Sequence, residues 1–159
     1  MSSSARVHWR ARTVVPVRRK GPRPERIMID ATHLKAHRTA ASLLKKGNAP
    51  RRIGRTTDGL NSKLHIVCDG EGRPIIMVLS EGQMSDHKGA RLVLNALPLV
   101  PCLIADRGYD RAWFREAQAA KGIAPCIPSP RSRKRPSAYD KTHYRQRHKV
   151  ENLFAKLKD

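Results

Sequence analysis

The stretch LHIVCDGEGRPIIMVL, residues 64–79, predicts a β-hairpin. Its two apolar runs, Leu64–Cys68 and Arg73–Leu79, flank a turn sequence, DGEG, at residues 69–72. Before the hairpin, the segment RIMID at residues 26–30 is a short apolar strand that ends in a carboxylate, Asp30. The hairpin and this strand together predict a sheet that begins near residue 26.

The chain after the hairpin alternates between helical periods and short strands. In chain order we predict a helix capped by Ser85 or Asp86, a strand at 102–105 followed by Asp106, a helix from the cap Asp110 to Gly122, a strand at 123–127 and a helix from about Asp140 to the end. This order predicts the α/β class, with a mixed sheet and flanking helices.

The net charge of the chain limits the classes of molecule that it is expected to bind. Lys and Arg number 33 against 13 Asp and Glu, which gives a net charge of +20 over 159 residues. A field this positive attracts a polyanion, and nucleic acid is the usual one. An ordinary small-metabolite enzyme is therefore a poor first hypothesis. No membrane partner is expected either, because the sequence has no long apolar run.

The length of the chain is room for one domain, and its composition changes along the way. Residues 1–25 are basic, contain prolines and show no strand or helix period, so we predict a disordered arm followed by a folded domain at 26–159. Residues 34–62 resemble a basic insertion with one weak helix around 36–44. The N-terminus lacks the apolar core of a signal peptide, and the three isolated cysteines predict buried thiols, so we expect a cytoplasmic protein.

Two carboxylates follow apolar strands in this sequence. Asp30 and Asp106 each close a predicted strand, and the carboxyl ends of adjacent strands line one crevice in α/β sheets. A single Asp at a strand end more often starts a turn or caps a helix. The pair is therefore informative only if a third group joins it.

The last predicted helix supplies that third group. At about 100° per residue, Tyr144, Arg147, Glu151 and Lys158 fall in one narrow stripe. The neighbouring stripe is apolar and faces the sheet, and its members are Val150, Leu153, Phe154 and Leu157. The alternative is that Arg147 and Glu151 form an ordinary surface pair at i,i+4 spacing.

Two Asp and one Glu without His or Cys suit a hard divalent cation such as Mg²⁺ or Mn²⁺. With positive charge around them, Asp30, Asp106 and Glu151 predict two-metal phosphoryl transfer on a nucleic-acid backbone. A small basic nucleic-acid-binding protein is the competing hypothesis. It explains the charge but not the stripe on the last helix.

The spacing Tyr144-x2-Arg147-x3-Glu151-x6-Lys158 resembles the signature of the insertion-sequence DDE transposases, in the group called IS-four- or IS-five-like. Further segments that resemble this group lie at 28–33, 54–65, 80–86 and 105–110. The resemblance covers about residues 26–159. It implies an RNase H-like catalytic domain, a divalent metal pair and cut-and-paste movement of a mobile DNA element.

The resemblance also implies roles for individual residues. Asp30, Asp106 and Glu151 match the catalytic, metal-binding triad. Tyr144, Arg147 and Lys158 match residues that contact transposon-end DNA. Arg55 belongs to the basic insertion, which is either a solvated loop or a phosphate contact, and the total charge favours phosphate. Lys63, in the segment 54–65 that resembles the family, is also expected to bind DNA. The expected partners are terminal inverted repeats and target DNA. A second copy of the chain, or a separate N-terminal DNA-binding product, is a further expected partner.

Several expectations stay open at this point. The family usually carries a helical DNA-binding region before the first Asp and continues past the final helix, so we expect a truncated catalytic portion. An inactive remnant that only binds DNA is a further alternative. His33 and His65 are expected either to contact DNA or metal, or to be hydrogen-bonded structural residues. Asp86 and Asp110 are interpreted as helix caps.

Overall fold

A computed structural model describes residues 14–17, 21–36 and 53–158. The strands are β1 (Val14–Pro16), β2 (Arg26–Lys35), β3 (Gly54–Thr56), β4 (Gly59–Asp69), β5 (Pro74–Glu81), β6 (Cys102–Ile104) and β7 (Ala124–Cys126). The helices are α1 (Asp86–Val93), α2 (Ala112–Ala120), α3 (Lys141–Tyr144) and α4 (His148–Lys158), with short 3₁₀ turns at Leu94–Ala96, Arg107–Tyr109 and Arg145–Arg147.

The predicted hairpin is confirmed as β4 and β5, which pair antiparallel. Its turn is closed by Asp69, whose Oδ1 accepts hydrogen bonds from the backbone N–H groups of Glu71 at 2.9 Å and Arg73 at 3.0 Å. Gly72 adopts φ +80°, a conformation that glycine enters without strain. The turn chemistry of residues 69–72 therefore sets the register of the two strands.

The strands form one mixed sheet in the order β1-β5-β4-β2-β6-β7, with β3 added to β4. Strand β2 pairs antiparallel with β4 and parallel with β6, and β6 pairs parallel with β7. Helices pack on both faces of this sheet. The architecture is the mixed α/β arrangement expected of an RNase H-like fold, and the predicted fold class is confirmed.

Side-chain alternation along β2 builds two cores, one on each face. Ile27 and Ile29 are fully buried in the cluster that includes Ala90 of α1 and Phe114 of α2. Met28 is fully buried in the opposite cluster, where α4 supplies its apolar side chains. The last helix is therefore held against the sheet by the strand that carries Asp30.

Two segments differ from the sequence prediction. Residues 14–16, inside the predicted disordered arm, form the edge strand β1 on β5, and the Val17 N–H donates to the Ile75 carbonyl at 2.7 Å. An edge strand is held by backbone hydrogen bonds and needs no periodic side-chain pattern. Residues 54–56 and 59–62 are strands rather than part of an insertion. The helix predicted around 36–44 falls almost entirely on residues outside the described ranges.

The final helix is interrupted. A 3₁₀ turn, Arg145–Arg147, separates α3 from α4, so one helical wheel does not describe the whole segment. In the predicted apolar stripe Val150 and Phe154 are buried and Leu153 packs against them. Leu157 is 47% exposed, so the prediction that it faces the sheet is wrong.

The cysteines Cys68, Cys102 and Cys126 are all free thiols. Cys68 and Cys126 are buried, as predicted, whereas Cys102 is half-buried rather than buried. Among the helices in the described ranges, none has the length and apolar character that crossing a membrane requires.

Candidate active site

Asp30 and Asp106 lie at the same edge of the sheet. In the parallel pairing of β2 with β6, Met28 is opposite Ile104, and each Asp follows two residues later. Strand β2 does not end at Asp30 as predicted but continues to Lys35 in its antiparallel pairing with β4. The pairing with β6 covers only Arg26–Met28, so the carboxylate of Asp30 comes just after the two parallel strands part.

Asp106 is fixed by the turn that follows β6. Its Oδ1 accepts a hydrogen bond from the Gly108 N–H at 2.8 Å, which caps the 3₁₀ turn. Gly108 also brings a third acid close, because a Cβ on this glycine would lie 2.9 Å from Asp106 Oδ1 and 3.4 Å from Asp86 Oδ2. The carboxylates of Asp86 and Asp106 therefore flank the same glycine.

Asp86 lies at this acidic edge, although its position in the sequence indicated only a helix cap. Ser85 occupies the N-cap position of α1, and Asp86 is the first helical residue. The Asp86 carboxylate forms an ion pair with Lys63 Nζ at 2.5 Å. The signal that could have revealed it is its position at the sheet edge shared by Asp30 and Asp106, where β5 has just ended.

Arg147 connects the last helix to the sheet. Its Nη1 donates to Asp30 Oδ2 at 2.7 Å, and its Nη2 donates to Glu151 Oε1. The surface-pair alternative is therefore incomplete, because the same guanidinium also binds a carboxylate from β2. Arg147 and Asp30 are largely shielded from solvent, whereas Glu151 is half-exposed. The guanidinium of Arg147 thus joins the carboxylates of Asp30 and Glu151.

Negative charge accumulates at this edge. Burial raises the pKa of Asp30 from 3.8 to about 6, and the charges of Asp106 and Asp86 act in the same direction. The Ala31 N–H, which donates to Asp30 at 2.8 Å, and the Arg147 guanidinium oppose the rise. Burial and two acidic neighbours disfavour the ionised form of Asp30, and a bound cation would offset both effects.

The donor chemistry at this edge fits a hard divalent cation, since the acids offer only oxygen atoms. Within residues 14–17, 21–36 and 53–158, however, no three side chains of His, Cys, Asp or Glu converge closely enough to hold one metal ion. Asp30 and Asp106 face a common edge, while Glu151 is engaged by Arg147. Glu151 would have to exchange Arg147 for the ion to complete the predicted triad.

The predicted DNA-contacting residues fall into two groups. Arg55 and Lys158 are exposed, in β3 and at the end of α4. Tyr144 is half-buried with its ring edge-on to Tyr139, and Lys63 is turned inward, where Nζ donates to the Met84 carbonyl at 3.1 Å. DNA contacts at these positions stay predictions, and at Lys63 a contact would require release of Asp86.

His33 and His65 both have hydrogen-bonded partners in the fold. Nε2 of His33 lies 2.9 Å from the Gly82 carbonyl, and Nε2 of His65 lies 2.8 Å from the Ser80 hydroxyl. His65 is fully buried against α1, where a Cβ on Gly89 would come within 2.1 Å of its ring. Of the two interpretations of His65, the structural one fits these contacts.

We expect His65 to make the fold sensitive to acid. Burial, with Lys63 nearby, lowers its pKa from 6.5 to about 4. Its neutral form is favoured in the fold, so its contribution is complete above about pH 6.5 and is lost as the pH falls toward about 4. Between about pH 7 and pH 4.5, chemical denaturation should show a His65→Gln variant losing about 2 kcal/mol less unfolding free energy than the parent. Equal losses would contradict the assignment.

Asp110 does not cap α2 as predicted. The N-cap position is Arg111, and the Asp110 carboxylate is fully buried between two arginines. Arg115 Nε lies 2.5 Å from Oδ1, and Arg133 Nη1 lies 2.5 Å from Oδ2. Burial alone would raise the pKa of Asp110, but the hydrogen bonds from Arg133 and Arg115 outweigh it and lower the pKa overall.

Comparison with known proteins relates this chain to one family. A family model described as "Transposase DDE domain" matches residues 21–159. A Burkholderia cepacia protein named as a transposase for insertion sequence element IS402 is 32% identical over 101 residues, which covers 52% of this chain and 48% of that protein. A Brucella ovis protein named as a transposase for insertion sequence element IS6501 is 33% identical over 101 residues, covering 62% of this chain and 77% of that protein.

The chain thus spans about half the length of the Burkholderia relative and more of the Brucella relative. The matched range, residues 21–159, contains Asp30, Asp106 and Glu151. The predicted family is confirmed. The chain belongs to the transposase DDE domain family.

Proposed function

We propose that this chain catalyses metal-dependent DNA strand cleavage and strand transfer in the cut-and-paste transposition of an insertion sequence. The observation that carries the proposal is the shared sheet edge of Asp30 and Asp106, with Glu151 joined to Asp30 through Arg147. Family membership supports the reaction class. The net charge of +20 supports a polyanionic substrate, which here is the ends of the mobile element and the target DNA.

Asp30, Asp106 and Glu151 are the residues that would hold Mg²⁺ or Mn²⁺. When bound, such ions activate the attacking oxygen and stabilise the leaving oxygen of a phosphodiester. The raised pKa of Asp30 and its acidic neighbours support this assignment, because a cation would relieve their repulsion.

In this proposal Arg147 binds either the carboxylates of the site or a phosphate of the DNA. It neutralises Asp30 and Glu151 in the protein alone. If a divalent ion took over that role, the guanidinium would be free to donate to a phosphate oxygen, for which its planar fork is suited. Arg147 would then position the DNA backbone beside the carboxylates, as the resemblance implies.

The test is strand cleavage by the chain itself. A labelled duplex carrying the ends that flank this reading frame is incubated with the chain and Mn²⁺, with EDTA as the blank. We expect nicking that requires the metal and is abolished in Glu151→Gln, because Gln keeps the size of the side chain and removes its charge. Duplex binding in EDTA should change little, since it depends on the basic surface.

Glu116→Gln is the matched control, because Glu116 is an exposed acid on α2, away from Asp30 and Asp106. This variant should nick at the parent rate. Absence of metal-dependent nicking by the parent chain would overturn the proposal. Nicking by Glu151→Gln at the parent rate would remove Glu151 from the triad.

A further inference from the structure

The segment between β7 and α3 is a basic loop held in place from within the domain. Residues 128–137, here called the tethered loop, contain three prolines and no acidic residue. Three of its basic side chains are exposed, namely Arg131, Lys134 and Arg135. The fourth basic side chain, Arg133, turns inward to the buried carboxylate of Asp110.

The tether is a buried ion-pair network. Asp110 has no exposed side-chain surface and takes one arginine on each oxygen, Arg115 from α2 and Arg133 from the loop. Arg115 also donates to the Ile127 carbonyl at 2.7 Å, just before the loop begins. Burying such charges costs desolvation energy, so a network of this kind fixes position more than it adds stability.

Two hydrogen bonds donated by backbone N–H groups also hold the loop. The Ser137 N–H donates to the Ser129 hydroxyl at 2.9 Å and closes the two ends. The Arg133 N–H donates to the Pro130 carbonyl at 3.0 Å and forms a turn. These contacts, together with the restricted φ of its prolines, limit the conformations open to the loop and to its exposed basic side chains.

The loop leaves the sheet at the edge that carries the acids. Cys126 of β7 is opposite Ile104 of β6, and both strands run parallel to β2. The residues after Cys126 therefore emerge beside Asp106, at the edge where Asp30 also lies. Because neighbouring strands are about 4.8 Å apart, the start of the loop is roughly 10 Å from the line of β2.

We propose that the tethered loop binds phosphates of the DNA duplex beside the strand that is cleaved, and that Asp110 and Arg133 are positioning residues for this contact. The choice of DNA as the ligand rests on the proposed function. Arg131, Lys134 and Arg135 supply the positive charge, and the network at Asp110 supplies the fixed geometry. A loop ordered before binding loses less conformational entropy when the phosphates arrive.

The test measures how DNA affinity depends on salt. Binding of a fluorescein-labelled mixed-sequence duplex in EDTA is compared between the parent and a triple variant, Arg131→Ala, Lys134→Ala and Arg135→Ala. Each phosphate contact adds about 0.9 to the slope of log affinity against log salt, so the triple variant should lose about 2.7 from the slope. From about 50 to 200 mM salt, the parent should therefore lose about 40-fold more affinity than the variant.

A matched control variant replaces three other basic residues. Arg23 and Lys121 precede β2 and β7, at the opposite edge of the sheet, and Lys156 lies on α4. Replacing these three by Ala should leave the slope close to that of the parent. Equal slope losses in both triple variants would overturn the proposal, because the loop would then be an ordinary part of a uniformly charged surface.

The positioning role has its own readout. Arg133→Gln frees the loop but leaves Asp110 paired with Arg115. Hydrogen exchange should become faster at residues 131–137 and stay slow in β6, and duplex affinity should fall several-fold. Arg133→Lys, which keeps a charge that can reach Asp110, should restore much of both. Unchanged affinity in Arg133→Gln would overturn the positioning role.

These measurements separate the loop from the chemistry. They are made in EDTA, so they do not depend on a metal at Asp30 or on strand cleavage. If the chain fails to nick DNA while the loop slopes differ as expected, the proposed reaction fails and the loop assignment stands. If nicking occurs while the slopes are equal, the loop assignment alone fails.

Discussion

Asp30→Asn should abolish metal-dependent strand cleavage and stabilise the fold in the same variant. Loss of the carboxylate removes a proposed metal ligand, for which we expect at least about a 10³-fold lower cleavage rate. The stability gain follows from the raised pKa of Asp30, about 6 against 3.8 in the unfolded chain. Ionisation of Asp30 in the fold is unfavourable, and Asn does not ionise.

The direction of the pKa shift of Asp30 determines the pH range in which the two proteins differ in stability. A raised pKa contributes stability below the unfolded value, and that contribution is lost as the pH rises through the folded value. Above about pH 6 the variant should therefore exceed the parent by up to about 3 kcal/mol, while near pH 3.5 the two should be alike. Urea unfolding at both pH values checks this. A variant that is less stable than the parent at the higher pH would contradict the account of Asp30.

Asp110→Ala should cost the most stability of any single change at the tether. It leaves the side chains of Arg115 and Arg133 without their shared carboxylate, and breaking a buried ion pair costs about 3–5 kcal/mol. For a domain of this size that corresponds to a drop in Tm of roughly 10 °C. The lowered pKa of Asp110 predicts that the difference from the parent shrinks as the pH falls below about 4.

Asp140→Ala is the control for Asp110. Asp140 is an exposed cap of α3, whose carboxylate accepts the His143 N–H at 2.9 Å. Loss of such an exposed cap costs much less than breaking a buried ion pair. Calorimetry should therefore rank the two variants clearly, and equal Tm values would show that the buried network contributes nothing beyond a cap.

The parts of the fold that could be predicted are those with a local sequence pattern. The hairpin at 64–79 follows from its turn residues, and β6 follows from an apolar run bounded by prolines and Asp106. Asp30 and Asp106 were expected at one edge because β2 and β6 run parallel, and both lie two residues beyond the last parallel pair, although β2 itself continues past Asp30. Strand β1 was missed, because its pairing depends on the free edge of β5 and not on its own residues.

Contacts between distant segments could not be predicted. The ion pair of Lys63 with Asp86 and that of Asp110 with Arg133 join residues more than 20 positions apart, and neither has a periodic pattern. Each acid was interpreted as a helix cap, since Asp before a helix usually is one. Arg147 and Glu151 share a stripe by their spacing, but the additional bond from Arg147 to Asp30 joins residues 117 positions apart and has no signal in the sequence.

The central claim is that Asp30, Asp106 and Glu151 hold a divalent ion, and iron-directed backbone cleavage tests it most directly. Fe²⁺ replaces Mg²⁺ in the chain, and ascorbate with peroxide then generates radicals that cut the backbone beside the bound iron. We expect cuts near residues 30, 106 and 151 that excess Mg²⁺ suppresses, that both Asp30→Asn and Asp106→Asn remove, and that Glu116→Gln leaves unchanged. Cuts that persist in both Asp variants, or that Mg²⁺ does not suppress, would contradict the metal site.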